Sequence, residues 1–226
     1  MEEGAAEGGF GEADIVRFRD RREAGARLGA ALRGHLGPLP IVIALPRGGV
    51  LVGNEVARAI EAPLDVWIVR KIGVPGQEEL GLGAIAEGGY TSYSPQIVRA
   101  AGLNPEQLAR LTKRKADELA RRTRLLRGKR PPPQIEGRTV ILVDDGIATG
   151  ATIRAVAGAL RQQRPARLVL AVPVAAADTL ASMAEEVDDI VCLETPTVLH
   201  AVGLWYDDFR QVSDDEVIDL LAAARA

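Results

Sequence analysis

A chain of 226 residues, 47% hydrophobic and 26% charged, has room for one substantial core with a small appendage and too little for two full enzyme domains. Its formal charge of -3 gives no global attraction to nucleic acid or anionic lipid, so a polyanion would have to meet a local cluster of donors. Cys192 is the single cysteine, which excludes an internal disulfide; no apolar run reaches the roughly 20 residues of a membrane span, and the start MEEGAAEGGFGEADIV lacks the basic-then-apolar order of a secretory leader, so a cytoplasmic protein is expected.

In chain order, the first dozen residues are rich in Gly and Glu and carry no periodic pattern. Residues 19–32 have the spacing of an amphipathic helix, with Asp20 as N-cap and Glu23 at capping-box distance. Residues 41–45 read as a buried strand, and LPRGG turns the chain into a helix over 49–60. A second strand, 65–69, ends in Arg70 and Lys71. Residues 73–79 are polar and rich in Gly and Pro, suited to a mobile lid. The following GLGAIAE mimics a dinucleotide fingerprint, but no strand feeds it and it is set aside.

Asn104 and Pro105 open a long helix that reaches about Leu126 and stops at GKRPPPQ. A strand over 140–143, a helix over 152–163 and strands over 168–172 and 190–193 follow, and then a loop-rich tail with an aromatic pair and many acids. The five apolar runs do not alternate, as expected of parallel strands covered on both faces. Strand, helix, strand order predicts right-handed crossovers and an α/β fold with a mostly parallel central sheet flanked by helices. Ligands of such sheets bind beyond the carboxyl ends of the strands, where PRGG, RK and DDGIATGAT all fall.

ILVDDGIATGAT, residues 141–152, runs from an apolar strand into two adjacent carboxylates and then into Gly and Thr. Gly146 and Gly150 permit a sharp turn and close backbone approach. A helix starting near Thr152 leaves unpaired amides facing the loop, with the positive end of the helix dipole behind them. Thr149 and Thr152 add hydroxyl donors, and the whole makes a nest for a phosphate monoester. Asp144 and Asp145 stand beside it, placed to accept from sugar hydroxyls, and two carboxylates followed by a phosphate cup read as a site for ribose 5-phosphate.

Competing readings fail on spacing. A response-regulator receiver would need an Asp at Glu194 and more chain beyond it, an Asp-x-Asp phosphatase an acid at Gly146, and a Walker A loop a Lys at Ala151. A capped surface turn leaves the paired acids unexplained.

The stretch closely resembles the signature for 5-phosphoribosyl 1-pyrophosphate (PRPP) in type I phosphoribosyltransferases, with Gly146 where the family often has Val or Ile, a departure expected to loosen the turn. The resemblance implies that Asp144 and Asp145 hold the ribose hydroxyls, that Ala148, Thr149, Gly150, Ala151 and Thr152 hold the 5-phosphate, and that Gly146 and Ile147 complete the PRPP loop. Arg47, Gly48 and Gly49 match the place of the pyrophosphate loop, and Arg70 and Lys71 resemble a basic pair directed at pyrophosphate and its metal. It further implies the type I fold over the whole chain as one domain, with a core of about 38–195 and a small hood from about 10–37 and 195–226. Transfer to a nitrogen nucleophile, a nucleobase foremost, releases pyrophosphate through a ribosyl cation-like state. Mg2+ is then expected, held mainly through PRPP and water, and a homodimer is the family expectation.

Trp205 and Tyr206 either stack on a heterocyclic acceptor or pack the hood, the reading favoured here. His35 and His200 are isolated and read as structural, and Cys192 as a buried spectator. Arg110 to Arg130 carries ten basic residues against Asp117 and Glu118. That run raises an alternative, a PRPP-sensing regulator that binds nucleic acid, although the aromatic interleaving of single-strand binders is missing. The chain ends resemble a bacterial group of predicted phosphoribosyltransferases whose acceptor is unassigned.

Overall fold

The computed structural model describes residues 17–224. The readings made of residues 1–16, a patternless start without a leader and the first part of the hood, lie outside them. Helix α1 (Arg21–Ala31) leads to strand β1 (Ile41–Ala44), helix α2 (Gly48–Ala59) and strand β2 (Leu64–Val66). Three strands then form an antiparallel excursion, β3 (Val69–Val74), β4 (Gln77–Ala86) and β5 (Thr91–Tyr93), followed by the short α3 (Pro95–Ala100) and the long α4 (Pro105–Arg127). The chain returns to the first sheet with β6 (Thr139–Val143), α5 (Ala151–Gln162), β7 (Arg167–Val174), α6 (Ala177–Met183) and β8 (Asp189–Glu194), and α7 (Asp214–Ala223) closes it.

Each of the five apolar runs contributes a strand to one parallel sheet, in the order β2-β1-β6-β7-β8, although the run expected over 65–69 supplies only its first part and Val69, Arg70 and Lys71 belong to β3 of the other sheet. Side chains of a strand alternate between faces, and here both faces are apolar. Val42, Ala44, Ile141, Val143, Val169 and Ala171 pack with α2 on one side. Ile41, Ile43, Val140, Leu142, Leu168 and Leu170 pack with α5 on the other. Burying such a side chain contributes about 1.5–3 kcal/mol, and it also forces the two helices to opposite faces. From β1 the chain crosses through α2 to β2, while from β6 it crosses through α5 to β7 on the other side. The neighbours β1 and β6 therefore flank a topological switch point, and the crevice beyond their carboxyl ends is where this architecture places ligands. This is the α/β layout that the resemblance implies.

Residues 73–79, expected as a polar segment suited to a mobile lid, form regular structure. They belong to the β3–β4 hairpin, whose turn is Pro75 and Gly76, the latter at φ +78°. Glycine and proline here serve the hairpin. A Cβ on Gly73 would lie 2.8 Å from the Glu78 Cα, so the bulged strands meet there only without a side chain. Four helices match their expected starts. Asp20 caps α1 by accepting from the Glu23 amide at 2.8 Å, and Asn104 and Gln107 form a reciprocal capping box on α4. Helix α7 was not anticipated, although Ser213 and Glu216 carry the Ser-x-x-Glu spacing and the Ser213 hydroxyl accepts from the Glu216 amide at 3.1 Å.

The two chain ends meet. Phe18 N donates to the Trp205 carbonyl at 2.8 Å and Asp207 N to the Phe18 carbonyl at 2.9 Å, while the Phe18 and Tyr206 rings make a tilted contact with centroids at 5.4 Å. Helix α1 is seated on α2 through small residues, with Ala24, Gly25, Leu28 and Gly29 buried. A Cβ at Gly25 would come within 2.6 Å of the Val52 carbonyl oxygen, which is helix backbone and has little room to yield. Alanine normally gains about 1 kcal/mol over glycine in a helix, but overpacking costs about 1–3 kcal/mol. Gly25→Ala is therefore expected to lower the melting temperature, and a rise in thermal denaturation would show that the α1–α2 contact is looser than described.

Candidate active site

Strand β6 is buried along its whole length between β1 and β7, so the chain cannot leave it until the sheet ends, and Asp144 is the first residue past that edge. Its Oδ1 accepts from the Asp145 amide at 2.9 Å. Burial pushes the Asp144 carboxyl well above the usual range, and the adjacent Asp145 charge pushes it further. Asp145 is answered differently. Its Oδ2 accepts from Arg21 Nε at 2.7 Å, and its backbone carbonyl accepts from the Tyr206 hydroxyl at 2.6 Å. The close pair of acids thus divides into one neutralised by an arginine and one with an unmet charge facing the crevice.

Beyond the acids, the Ile147 amide donates to the Val174 carbonyl at 2.9 Å, tying the loop to β7. Gly150 then takes the left-handed conformation, φ +74°, as the residue before α5. No side chain caps α5. Nor does one cap α2, which begins behind Arg47 at the end of β1. By contrast α1, α3, α4 and α7 are capped by Asp20, Ser94, Asn104 and Ser213. The two long helices that start at the switch point are those whose first-turn amides are left for something else, and their positive dipole ends favour an anion. Ala148, Thr149 and Ala151 are exposed and Thr152 is half-buried, so the cup is open. Lys71, Asp144, residues 146–153 and Val202 line its cavity of about 170 Å3.

The PRGG loop lies directly against the acids. A Cβ on Gly48 would collide with the Asp145 carboxylate, and one on Gly49 would lie 2.9 Å from the Asp144 Cα. These glycines are needed so that two ligand-facing loops can touch. Arg47 projects from the loop with its Nη1 3.9 Å from Asp214 Oδ1, and the Pro46–Arg47 peptide is cis.

Residues 37–207 match the family described as "Phosphoribosyl transferase domain". The chain belongs to this family. Two Mycobacterium tuberculosis proteins, "Putative phosphoribosyl transferase MT0597" of strain CDC 1551 / Oshkosh and "Putative phosphoribosyl transferase Rv0571c" of strain ATCC 25618 / H37Rv, are each 42% identical over 207 residues, 92% of this chain and 47% of theirs. The chain spans about half the length of the curated relatives it matches. The crystal structure of TT1426 from Thermus thermophilus is 42% identical with a TM-score of 0.80, covering 92% of this chain and 98% of that one.

Within this phosphoribosyl transferase domain, several residues sit differently from the sequence-based expectation. Arg70 and Lys71, expected to act as one basic pair, are adjacent residues of a strand and face opposite ways. Lys71 lines the cup, while Arg70 lines a separate cavity of about 290 Å3 with Glu118, Arg121, Arg122 and Leu125. Gly146 does not loosen the turn. A Cβ there would meet Val202 Cγ1 at 2.5 Å and Val174 Cγ1 at 3.1 Å, so the space of the missing side chain is filled from the tail. Tyr206 is only 4% exposed and packs in tilted contacts against Phe18 and Phe209, with ring centroids at 5.4 and 5.0 Å; burial pushes its phenol up. Its ring forms the wall behind Asp145 and has no face toward a ligand, whereas Trp205 is half-buried at its side.

Arg21 was missed. Its only sequence signal is a buried-side position in an otherwise small-residue helix face. The guanidinium also donates to the Arg210 carbonyl at 2.9 Å and lies over the Phe209 ring at 3.8 Å. His35 is within hydrogen-bond distance of a carboxylate, its Nδ1 2.7 Å from Asp189 Oδ2, and Cys192, half-buried, has its thiol pushed up by burial.

The Asp144 shift has a stability consequence. Between the ordinary carboxyl value of 3.8 and its raised value in the fold, the native state binds more protons than the unfolded chain, so this group's contribution falls as pH rises. Asp144→Asn removes that loss. The variant is expected to be more stable than the parent at pH 7 and no more stable near pH 3. Urea denaturation at the two pH values measures this, and equal differences at both would refute the buried-charge account.

Proposed function

We propose that the protein transfers the ribosyl 5-phosphate group of PRPP to a nitrogen nucleophile, a nucleobase foremost, with release of pyrophosphate. The observation that supports this best is the pairing of two uncapped helix starts across the switch point, with the twin acids between them. PRPP has an anionic group at each end and hydroxyls in the middle, which is the same order. The α5 cup of residues 148–152, with Lys71 beside it, takes the 5-phosphate. Asp144 and Asp145 accept from the ribose hydroxyls, and the Arg47, Gly48 and Gly49 loop at α2 takes the pyrophosphate.

In the reaction the nitrogen lone pair forms the bond to C1 while the C1–O pair leaves with pyrophosphate. Negative charge grows on the leaving group and positive charge on the ribose. Preorganised amides and guanidinium groups favour the first. The Asp144 carboxylate, whose charge lacks a cation partner of its own, favours the second. Hydroxyl donors from the ribose would also lower the cost of its ionisation, so ligand binding and deprotonation of Asp144 are linked.

Among the described residues there is no group of three or more His, Cys, Asp or Glu side chains that could hold a metal. Asp144 and Asp145 offer hard oxygen donors, which suit Mg2+ carried mainly by phosphate oxygens and water, where it would supply charge neutralisation. A homodimer and a cytoplasmic setting belong to the same reading, carried by the resemblance and by the single cysteine of the chain. Among the described residues no helix is long and apolar enough to cross a membrane.

The nucleic-acid alternative loses ground on α4. Arg110, Lys115, Arg122 and Arg127 are paired with carboxylates of this chain, and Arg130 donates to the Arg127 carbonyl. Incubation with Mg2+, PRPP and a panel of purines, pyrimidines and small amines should release pyrophosphate with at least one acceptor. Asp145→Asn should slow that release about a hundred- to thousandfold, the usual loss for one group of a preorganised site. Silence across the panel, together with salt-sensitive RNA binding, would transfer the assignment to a PRPP-sensing regulator.

A further inference from the structure

The basic run of α4 has one member turned toward the site. Arg122 grips both carboxylate oxygens of Asp214 through both of its Nη atoms. Asp214 is the first residue of α7, and its Oδ1 also lies 3.9 Å from Arg47 Nη1. Arg70 and Arg122 line one cavity of about 290 Å3 with Glu118, Arg121 and Leu125. Glu118 is already bonded to Lys115, at 3.0 and 3.1 Å. Three guanidinium groups, Arg47, Arg70 and Arg122, thus converge on one carboxylate and exceed its charge. Arg122, then Arg47 and Arg70, hold the Asp214 carboxyl below its usual range. Burial and the neighbouring Arg122 charge disfavour the charged form of Arg70. Such a cluster is under-neutralised, and the two-pronged grip of Arg122 suits phosphate oxygens as well as it suits a carboxylate.

We propose that Asp214 is a resident stand-in for pyrophosphate. In the resting protein it occupies the clamp of Arg47, Arg70 and Arg122, and the pyrophosphate of the substrate displaces it, so that Arg122 becomes a third ligand of that group and the first turn of α7 is released. The inference rests on the PRPP reading and deepens it. It adds an α4 arginine to the leaving-group site and couples the tail, which also supplies Val202 to the cup, to occupancy of that site. Displacement replaces one negative charge with several, which favours the exchange. The cost is the Asp214–Arg122 pair, and it weakens pyrophosphate binding by the fraction of protein in which the clamp is closed.

The test uses inorganic pyrophosphate with Mg2+ as probe and ribose 5-phosphate as a separate probe of the cup. In the parent protein, pyrophosphate should speed amide exchange at the start of α7, about residues 213–218, and ribose 5-phosphate should not. By calorimetry, Asp214→Asn should bind pyrophosphate about tenfold more tightly and Arg122→Gln about ten- to hundredfold more weakly, with Asp214→Glu close to the parent. Unchanged or slower exchange in α7 on adding pyrophosphate overturns the stand-in, and that measurement needs no variant to fold. Asp214→Asn binding no tighter than the parent overturns it as well. Where either happens while ribose 5-phosphate still binds, the inference falls and the PRPP reading stands; where neither probe binds, both fall.

Discussion

One ion pair, Arg21 with Asp145, holds the site together. The arginine comes from the first helix, the aspartate from the end of the central strand, and the backbone carbonyl of Arg210 and the Phe209 ring that complete the arginine's surroundings come from the tail. Both side chains are largely buried. Breaking such a pair by removing one partner typically costs about 3–5 kcal/mol, because the remaining charge is left uncompensated. The small-residue face of α1 follows from the same need. Only with glycine at 25 and 29 can α1 lie close enough to α2 for a residue at its first turn to reach the end of β6. Tyr206 closes the arrangement by donating to the Asp145 carbonyl from behind. Asp145 is thereby fixed by contacts from distant segments, and its position is set by packing.

Against that fixed acid, Asp144 is left with its charge unmet, and the helix starts at α2 and α5 are left without caps. These are opposite kinds of deficit, one negative and two positive, arranged in a row. Each is unfavourable for the empty protein, since buried charge and orphan amides are normally satisfied. They complement one another only through a molecule that carries hydroxyl donors between two anions. Unmet polarity at element ends, with every other long described helix capped, separates a binding site from ordinary loop structure.

The sheet was legible because its signal is one of burial on both faces: non-alternating apolar runs read as strands of a parallel sheet, and all five contribute one, with β2 and β8 at the edges. The helix starts at Asp20 and Asn104 were legible from local capping chemistry, and the twin acids and cup from residue order alone. The β3–β4 hairpin was not, because its glycines are placed for a bulge and a turn, and the same composition serves a lid. Helix α7 hid its two buried apolar residues, Val217 and Leu221, among acids. The division between Arg70 and Lys71 needed the knowledge that they lie within a strand, since a loop would have let both turn one way. The contacts of Arg21 and Val202 were not legible in the sequence, because each spans more than 50 residues.

Charge runs show the same limit more sharply. The ten basic residues from Arg110 to Arg130, eight of them in α4, look alike along the chain, yet the fold gives them unlike tasks. Arg127 is buried and clips the helix to the Val66 carbonyl at 2.7 Å and to Glu87 at 2.9 Å, where burial pushes the Glu87 carboxyl up and Arg127 draws it down. Arg130 folds back on the carbonyls of the helix end. Arg122, five residues before Arg127, shares a cavity with Arg70 of β3 and pairs with Asp214 of α7. A helix advances about 100° per residue, so side chains five apart point in quite different directions, and the composition of the run carries no information about which of them meets the site. What decides is the angle at which α4 crosses the hairpin and the tail. That angle is fixed by the buried Arg127 at one end and by the Tyr93–Thr112 hydroxyl contact at 2.5 Å nearer the other. A buried structural arginine therefore helps decide which way its neighbours along the helix point.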